Sequence, residues 1–202
     1  MPKDTFFNLP EDKRESIVLA AKKEFSRAPL SEASVSNILK QTKIPRGSFY
    51  QYFEDKEDIF FYLLERRTEM SKSKFLEYLQ QNDGDLADTF VDIFKHWMHE
   101  FTKEEEQNFF RNIFLNMNYK IEHFFTKEMN LDEHLSNIEK NVDVTSLNIS
   151  ENTDVILIIK IFGTITLRNI VQSFAKEKTY EEAMTFFIKD MELLKNGIYK
   201  QT

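Results

Sequence analysis

A glycine at position 47 lies among side chains that can donate hydrogen bonds and stack on planar groups. Glycine inside a short helix costs roughly 1 kcal/mol relative to alanine, so its presence suggests that another molecule approaches the backbone closely there. The surrounding polar and aromatic residues are Arg46, Ser48, Tyr50, Gln51 and Tyr52. Such a group suits contact with a nucleic acid, because arginine selects guanine and glutamine selects adenine when their contacts are bidentate.

Two short helices joined by a tight turn are predicted to position these side chains. Val35, Ile38 and Leu39 are spaced three and four residues apart, which predicts a first helix with an apolar stripe. Ser34 is its expected N-cap, with Ser31 as the alternative, because a serine oxygen can accept from the first free N–H groups of a helix. The stripe must pack against another part of the fold.

The second helix is predicted to begin after a proline. Pro45 has a fixed φ and no N–H, so it fits the first helical position and pushes the residue before it towards an extended conformation. At about 100° per residue, Phe49 and Phe53 fall on the side that must pack against the first helix. Gly47 and Gln51 point almost directly away. A helix-turn-helix whose second helix enters the DNA major groove needs such an unused face.

This segment resembles the DNA-binding motif of the TetR family of bacterial transcriptional regulators. The family pattern is a small polar residue, an apolar pair, a turn, and then a basic, glycine and aromatic run that ends near a lysine. Here it stands as Ser34, Ile38, Leu39, Arg46, Gly47, Ser48, Phe49, Tyr50, Gln51, Tyr52, Phe53 and Lys56. Lys43 departs from the pattern, because the family usually has a turn glycine there. Either Lys43 adopts a positive φ at some cost, or the turn has a different shape.

The resemblance implies separate roles for the residues of the motif. Four of them match family positions that hold DNA phosphates: Ser34, Tyr50, Tyr52 and Lys56. The candidates for contact with base edges are Ser36, Arg46, Gly47, Ser48 and Gln51. The alternative for the two tyrosines is half-buried packing against the helix that precedes the motif.

The composition favours an all-α fold and excludes several kinds of site. The 202 residues include only four glycines and four prolines, and an all-β chain needs more tight turns. No cysteine is present, which excludes disulfides, thiolate catalysis and cysteine-based zinc sites. His96 and His99 share a helix face, and Glu100 and Glu104 are nearby, but the sequence has no CxxC or HExxH pattern to indicate a closed metal shell. A glycine-rich phosphate loop and a nucleophile elbow are also missing, so we expect no enzyme activity, no cofactor and no metal.

Charge is divided unevenly along the chain. The net charge of −7 is unexpected for a DNA-binding protein, because phosphate contacts drive affinity. Residues 1–56 hold ten Lys and Arg against eight Asp and Glu, a balance of +2, whereas the remainder holds 17 against 26, or −9. This asymmetry is expected of a DNA-binding part joined to an acidic body. The alternative is a helical ligand-binding or adaptor protein that does not use DNA.

We predict a three-helix DNA-binding head in residues 1–54 and a ligand-binding and dimerisation body, a helical bundle, in residues 55–202. The first helix is predicted at residues 10–27, and Asp55 is the predicted N-cap of a long fourth helix. The N-terminus lacks the apolar run of a signal peptide. The longest apolar stretch, 155–171, is interrupted by charges and too short for a membrane span. The sequence therefore predicts a cytoplasmic protein.

Aromatic residues and methionines recur at helical spacing through residues 85–129. A helix is expected at 85–101, followed by an acidic turn at 104–106 and a further helical segment that continues to about Lys140. Each of these side chains alone is more often plain core, but as a group they are expected to include the lining of an apolar ligand pocket. The predicted pocket residues are Phe94, Trp97, Met98, Phe101, Phe110, Phe114, Met117 and Phe125.

Two apolar helices are predicted at residues 153–176 and 180–199, joined by a short link. Such a pair is a natural half of an intermolecular four-helix bundle, and the resemblance also implies that the last two helices form the dimer. A purely internal core is the alternative. The predicted interface residues are Ile158, Phe162, Ile165, Met184, Phe187 and Met191. We therefore expect a homodimeric repressor that binds a palindromic DNA operator and is released by a small apolar or amphipathic effector.

Overall fold

The computed structural model describes residues 1–129, 138, 140–149 and 153–198, whose regular secondary structure is helical. This confirms the predicted all-α class. The α-helices are α1 (Asp4–Phe7), α2 (Glu11–Arg27), α3 (Val35–Thr42), α4 (Arg46–Tyr52), α5 (Lys56–Gln81), α6 (Leu86–Glu100), α7 (Glu104–Leu115), α8 (Tyr119–Met129), α9 (Thr153–Ala175) and α10 (Tyr180–Ile198). None of these helices is both long enough and apolar enough to cross a membrane.

The chain divides into two compact units. The first comprises Met1–Met70 and Phe101–Asn116, and the second comprises Ser71–Glu100 and Met117–Thr202. The helix-turn-helix, formed by α3 and α4, belongs to the first unit. The predicted division into domains at residues 54 and 55 stays a prediction.

The core of the first unit is built around the side of α4 that the sequence assigns to packing. Phe49 and Phe53 are fully buried, and their ring centroids lie 5.1 Å apart. Phe25 of α2 meets Phe60 of α5 edge to face, with 5.1 Å between ring centroids, a favourable arrangement for aromatic rings. The apolar side of α4 is thereby fixed.

The starts of α4 and α5 follow the predicted chemistry closely. Pro45 lies at the N-cap of α4 with φ −61°, one residue before the predicted position. The Asp55 carboxylate accepts from the backbone N–H groups of Glu57 (2.7 Å) and Asp58 (3.1 Å). Asp55 is therefore the N-cap of α5, as predicted, because these N–H groups have no partner inside the helix.

The core of the second unit places α6 against α9 and α10. Phe90 of α6 stacks on Phe162 of α9 with ring centroids 5.3 Å apart. Phe94 of α6 stacks on Phe187 of α10 at 4.0 Å. The apolar stripes of α9 and α10 are thus used inside the chain, where they cover α6.

This packing corrects the choice of side chains at the predicted dimer face. The six residues are used largely for the internal core: Ile158, Phe162, Met184, Phe187 and Met191 are buried, and Ile165 is half-buried. Buried side chains cannot present surface to a second chain. The apolar residues that α9 and α10 leave exposed are different ones, including Leu157, Ile161, Phe186 and Leu193.

Three further details differ from the sequence prediction. The acidic residues 104–106 form the first turn of α7, a favourable place for negative charge, and not a separate turn. The helical segment expected after the acidic residues is interrupted at 116–118, between the end of α7 and the start of α8. The short helix α1 was not predicted at all. The expected continuation towards Lys140 falls almost entirely outside the described residues.

Candidate nucleic-acid interface

The exposed side of α4 carries four of the residues predicted to contact DNA. Arg46, Gly47, Tyr50 and Gln51 are exposed, and Ser36 on α3 is exposed as well. The structure thus brings these residues to the surface of one motif. Their side chains offer guanidinium, phenol, amide and hydroxyl groups, the donors and acceptors that base edges and phosphates engage.

Arg46 and Tyr50 are ordered by contact with each other. The Arg46 Nη2 group donates to the Tyr50 hydroxyl oxygen at 3.3 Å, and the guanidinium carbon lies 5.7 Å from the centre of the Tyr50 ring. A phenol that accepts from arginine can still donate its own hydrogen to a phosphate oxygen. The pair can therefore meet DNA as one unit.

Gly47 has no packing reason to be a glycine within the described part of the chain. A Cβ added at this position would meet no heavy atom within 4 Å among those residues. The helix-weakening effect of glycine is therefore not offset by a close contact inside the fold. It leaves a smooth, exposed patch of backbone in the middle of the polar face.

The other predicted DNA contacts are less accessible. Ser34, Ser48 and Tyr52 are half-buried, and the Tyr52 ring centroid lies 6.4 Å from that of Phe6. Lys56 donates through Nζ to the carbonyl oxygens of Ser31 (2.9 Å) and Ala33 (3.0 Å). Lys56 therefore closes the end of the segment before α3, and one of its three N–H donors is left over.

Lys43 ends α3 in the left-handed conformation, with φ 57° and ψ 21°. Its backbone N–H donates to the Leu39 carbonyl oxygen at 2.8 Å. Of the two possibilities raised by the sequence, the structure has the positive φ, which favours glycine over residues with a Cβ. The lysine side chain is exposed.

The N-terminal segment holds the C-terminal end of α4, a role that the sequence interpretation missed. The Lys3 backbone N–H donates to the Tyr52 carbonyl oxygen at 2.8 Å, and Lys3 Nζ donates to that of Tyr50 at 3.0 Å. The Thr5 hydroxyl donates to the carbonyl oxygen of Gln51. The last carbonyls of a helix lack partners within it, so these bonds satisfy groups that α4 leaves open.

Phe6 anchors this segment to the core. It is fully buried, and its ring centroid lies 4.9 Å from that of Phe53 and 5.4 Å from that of Tyr62. The adjacent phenylalanines Phe6 and Phe7, close to the start of α2, are the signal in the sequence that could have indicated a packed helix there.

A buried carboxylate joins α2 to the beginning of α3. Glu24 is 1% exposed, and its oxygens accept from Arg27, from the backbone N–H of Ser34 at 2.8 Å and from Asn37 Nδ2 at 3.1 Å. Burial raises the pKa of Glu24, but these hydrogen bonds outweigh it and lower the pKa below its ordinary value of 4.5. Glu24 thus satisfies an N–H that opens α3, since no side chain caps that end.

The predicted pocket residues are divided between the two units. Phe101, Phe110 and Phe114 belong to the first unit, where they are buried and form successive ring contacts. The other five belong to the second unit: Phe94, Trp97, Met98, Met117 and Phe125. Phe94 and Met98 are buried there, so they act as core.

Two of the predicted pocket residues line an open groove in the second unit. Met117 and Phe125 lie there with the charged side chains of Glu122 and Lys160, and the groove has a volume of about 350 Å³. The remaining lining residues are Thr126, Thr164 and Leu167. An apolar floor with a few polar groups is the usual character of a small-molecule site.

Comparison with known protein families gives two matches. Residues 17–63 match the model of bacterial regulatory proteins, tetR family. Residues 85–198, more than half of the chain, match the model described as tetracyclin repressor-like, C-terminal domain. The first match contains the whole helix-turn-helix, and the second contains helices α6 to α10.

Three individual proteins that resemble this chain share between 14% and 27% of its residues in the matched regions. The HTH-type transcriptional repressor NemR of Escherichia coli is 27% identical over 90 residues, which is 45% of this chain and 45% of that protein. The structure of SmeT, the repressor of the Stenotrophomonas maltophilia multidrug efflux pump SmeDEF, is 14% identical with a TM-score of 0.70, covering 95% of this chain and 94% of SmeT. FadR of Bacillus subtilis in complex with stearoyl-CoA is 18% identical with a TM-score of 0.68, covering 91% and 98%. At such identities the two structures establish a shared fold.

The Glu24 contacts predict a pH-dependent stability. Because the pKa of Glu24 is lower in the folded protein than in the unfolded chain, its contribution is complete above pH 4.5 and is lost as the pH falls through the folded-state pKa. We expect Glu24→Gln to lower the free energy of unfolding by about 2 kcal/mol at neutral pH. The difference from wild type should shrink below pH 4.5 in urea titrations followed by circular dichroism.

Glu32→Gln is the matched control, because Glu32 is exposed and its replacement should change stability little. A Glu24→Gln protein as stable as wild type at neutral pH would contradict the role of Glu24 as the link between α2 and α3.

Proposed function

The chain belongs to the tetR family of bacterial regulatory proteins, and we propose that it is a homodimeric, cytoplasmic transcriptional repressor controlled by a small molecule. One α4 from each protomer would enter successive major grooves of a palindromic operator, the geometry expected of a helix-turn-helix dimer. Effector binding in the second unit would favour a state that no longer fits the operator. The family consists of regulators, so the proposal involves no catalysis.

The observation that carries the DNA-binding proposal is the exposed polar face of α4. Arg46, Tyr50 and Gln51 face solvent around Gly47, while Phe49 on the opposite side is fully buried. In this proposal Arg46 and Gln51 contact base edges, and Tyr50 donates to a phosphate while it orients Arg46. The close approach of DNA is possible because Gly47 has no side chain.

The exposed apolar face of α9 and α10 supports the dimer. Leu157 and Ile161 on α9 are 57% and 44% exposed, and Phe186 and Leu193 on α10 are 55% and 66% exposed. Residues 157 and 161 are one helical turn apart, and 186 and 193 are two turns apart, so each pair forms a stripe. Two such pairs of helices can form a four-helix interface.

The groove of Met117 and Phe125 is the proposed effector site. Its apolar residues and the nearby Lys160 and Glu122 suit an amphipathic molecule with a charged or polar end. FadR, whose fold is similar, binds stearoyl-CoA. For the present chain we propose the amphipathic class and no particular compound.

Contacts between α7 and α2 allow effector binding to influence the helix-turn-helix. Asn112 of α7 donates to the carbonyl oxygens of Phe25 (2.9 Å) and Ser26 (3.0 Å) near the end of α2. The half-buried Lys22 of α2 pairs with Glu106 of α7. Met117 follows α7 by two residues in the chain, so a ligand that moves it can bias α7 and, through these bonds, α2. A ligand shifts such an equilibrium only if it binds one state better.

Gly47→Glu tests the DNA-binding face. A Cβ at position 47 meets no described atom within 4 Å, but the carboxylate would face DNA phosphates, and like charges at an interface cost several kcal/mol. We expect operator affinity, measured by gel shift with DNA from upstream of the protein's own gene, to fall by at least about 100-fold. The melting temperature should not fall.

Gly197→Glu is the matched control, since it is a second helical glycine with open space around it and lies in the second unit. Gly47→Glu binding with wild-type affinity would refute the assignment of this face.

Phe186→Glu tests the dimer. A central apolar interface residue contributes about 2 kcal/mol or more, so the dimer dissociation constant should rise by about 30-fold or more. Light scattering over a dilution series measures it, and circular dichroism should report unchanged helicity because Phe186 is exposed. Thr185→Glu, at an exposed polar position next to it, should remain dimeric. A Phe186→Glu protein that stays dimeric would contradict the proposed interface.

Thr164→Trp tests the effector groove by filling it. A screen of amphipathic compounds by thermal shift should find binders that stabilise the wild type by about 2.7 kcal/mol at a concentration 100 times the Kd. Thr164→Trp should lose this shift, whereas Thr164→Val, which leaves the space open, should keep it. If no compound alters stability or operator affinity, the effector proposal is wrong.

A further inference from the structure

A groove beside α4 contains two lysines that the family motif does not assign to DNA contact. Lys43, in the turn between α3 and α4, and Lys13, near the start of α2, line a groove of about 500 Å³ in the first unit. We propose that this groove is an additional phosphate-binding site, in which Lys43 and Lys13 take a phosphate of the DNA backbone next to the bases contacted by α4. The inference rests on the proposed DNA-binding function.

The backbone of Lys43 is the first observation. Its φ of 57° lies in the left-handed region, where a glycine would be less strained. A lysine at this position therefore does not stabilise the backbone conformation of the turn. Residues in strained backbone conformations cluster at functional sites, and the Lys43 side chain is exposed and long enough to reach a neighbouring molecule.

The lining of the groove is the second observation. Ser16, Ser48 and Tyr52, which carry hydroxyl groups, line the groove with the two lysines. A phosphate oxygen is a strong acceptor, and lysine and hydroxyl groups are among its usual protein donors. Asp12 also lines the groove and opposes an anion, but with two lysines the net charge of the lining stays positive.

The availability of the two ammonium groups is the third observation. Within residues 1–129, 138, 140–149 and 153–198, the ammonium groups of Lys13 and Lys43 have no hydrogen-bond or ion-pair partner. Two other lysines of the same unit are engaged: Lys56 donates to Ser31 and Ala33, and Lys22 pairs with Glu106. The ammonium groups of Lys13 and Lys43 are therefore available to an external anion.

The location of the groove fits a phosphate next to the base contacts. Pro45, the N-cap of α4, also lines the groove, and Arg46 follows it directly. Phosphate contacts fix the register of a recognition helix on the DNA, but they do not distinguish one base sequence from another. The site would therefore add affinity and salt dependence and leave the choice of operator sequence unchanged.

Lys43→Gly tests the site because it should weaken operator binding without lowering the stability of the protein. Glycine relieves the strain at a positive φ, so the melting temperature should stay equal to that of wild type or rise. Operator affinity should fall, and the slope of log K against log salt concentration should decrease in magnitude by about 0.9 for each lysine–phosphate pair that the substitution removes, that is once per protomer. This corresponds to about eightfold weaker binding per protomer at about 0.1 M salt. The probe is a fluorescent duplex selected by the wild type from a randomised library.

Three further variants complete the experiment. Lys43→Arg keeps the charge and should keep the salt slope, and Lys13→Gln should lower it like Lys43→Gly. Lys23→Gln removes an exposed lysine of the same unit that does not line the groove, and it should change neither affinity nor slope. Wild-type affinity and slope for Lys43→Gly and Lys13→Gln would overturn the inference while leaving operator binding intact. If the wild type selects no duplex, both the inference and the proposed function are wrong.

Discussion

A helix of seven residues is not stable by itself in water, and α4 exists because the fold holds it from outside. Isolated helices shorter than about 12 residues are marginal even for favourable sequences, and α4 contains a glycine as well. Its inner side is fixed by the buried rings of Phe49 and Phe53. Its C-terminal carbonyls accept from Lys3 and Thr5. The conformation of α4 is therefore imposed by tertiary contacts.

With this arrangement, the residues on the outer side of α4 are not needed to stabilise the helix. Since the inner side and the C-terminal end provide the stability, Arg46, Gly47 and Gln51 can be chosen for contact with another molecule. A rigidly held helix also binds at a smaller entropic cost than one that folds on binding. The same logic extends to α3, whose start is held by Glu24, so that both helices of the motif are oriented before DNA arrives.

The sequence predicted the parts of this arrangement that depend on local periodicity and missed those that depend on contacts between distant residues. The spacing of Phe49 and Phe53 identified the inner side of α4, and Asp55 identified the start of α5. Periodicity also located α9 and α10, but it could not tell which apolar stripe meets α6 and which faces solvent, so Phe187 was assigned to the dimer although it stacks on Phe94. The use of Lys56 by Ser31 and Ala33, 25 and 23 residues away in the chain, has no local signature.

Two surface residues of the motif are less favourable for the local backbone conformation than another residue type would be. Gly47 weakens a helix without making a close contact within the described chain, and Lys43 has a positive φ without being glycine. Each exchange in the stabilising direction, alanine at 47 or glycine at 43, is compatible with the local backbone. Folding requirements therefore explain neither residue. Sequences usually agree with their local structure except at functional sites, and both exceptions flank Arg46. Both exceptions thus support the proposal that binding, and not folding, determines the sequence around Arg46.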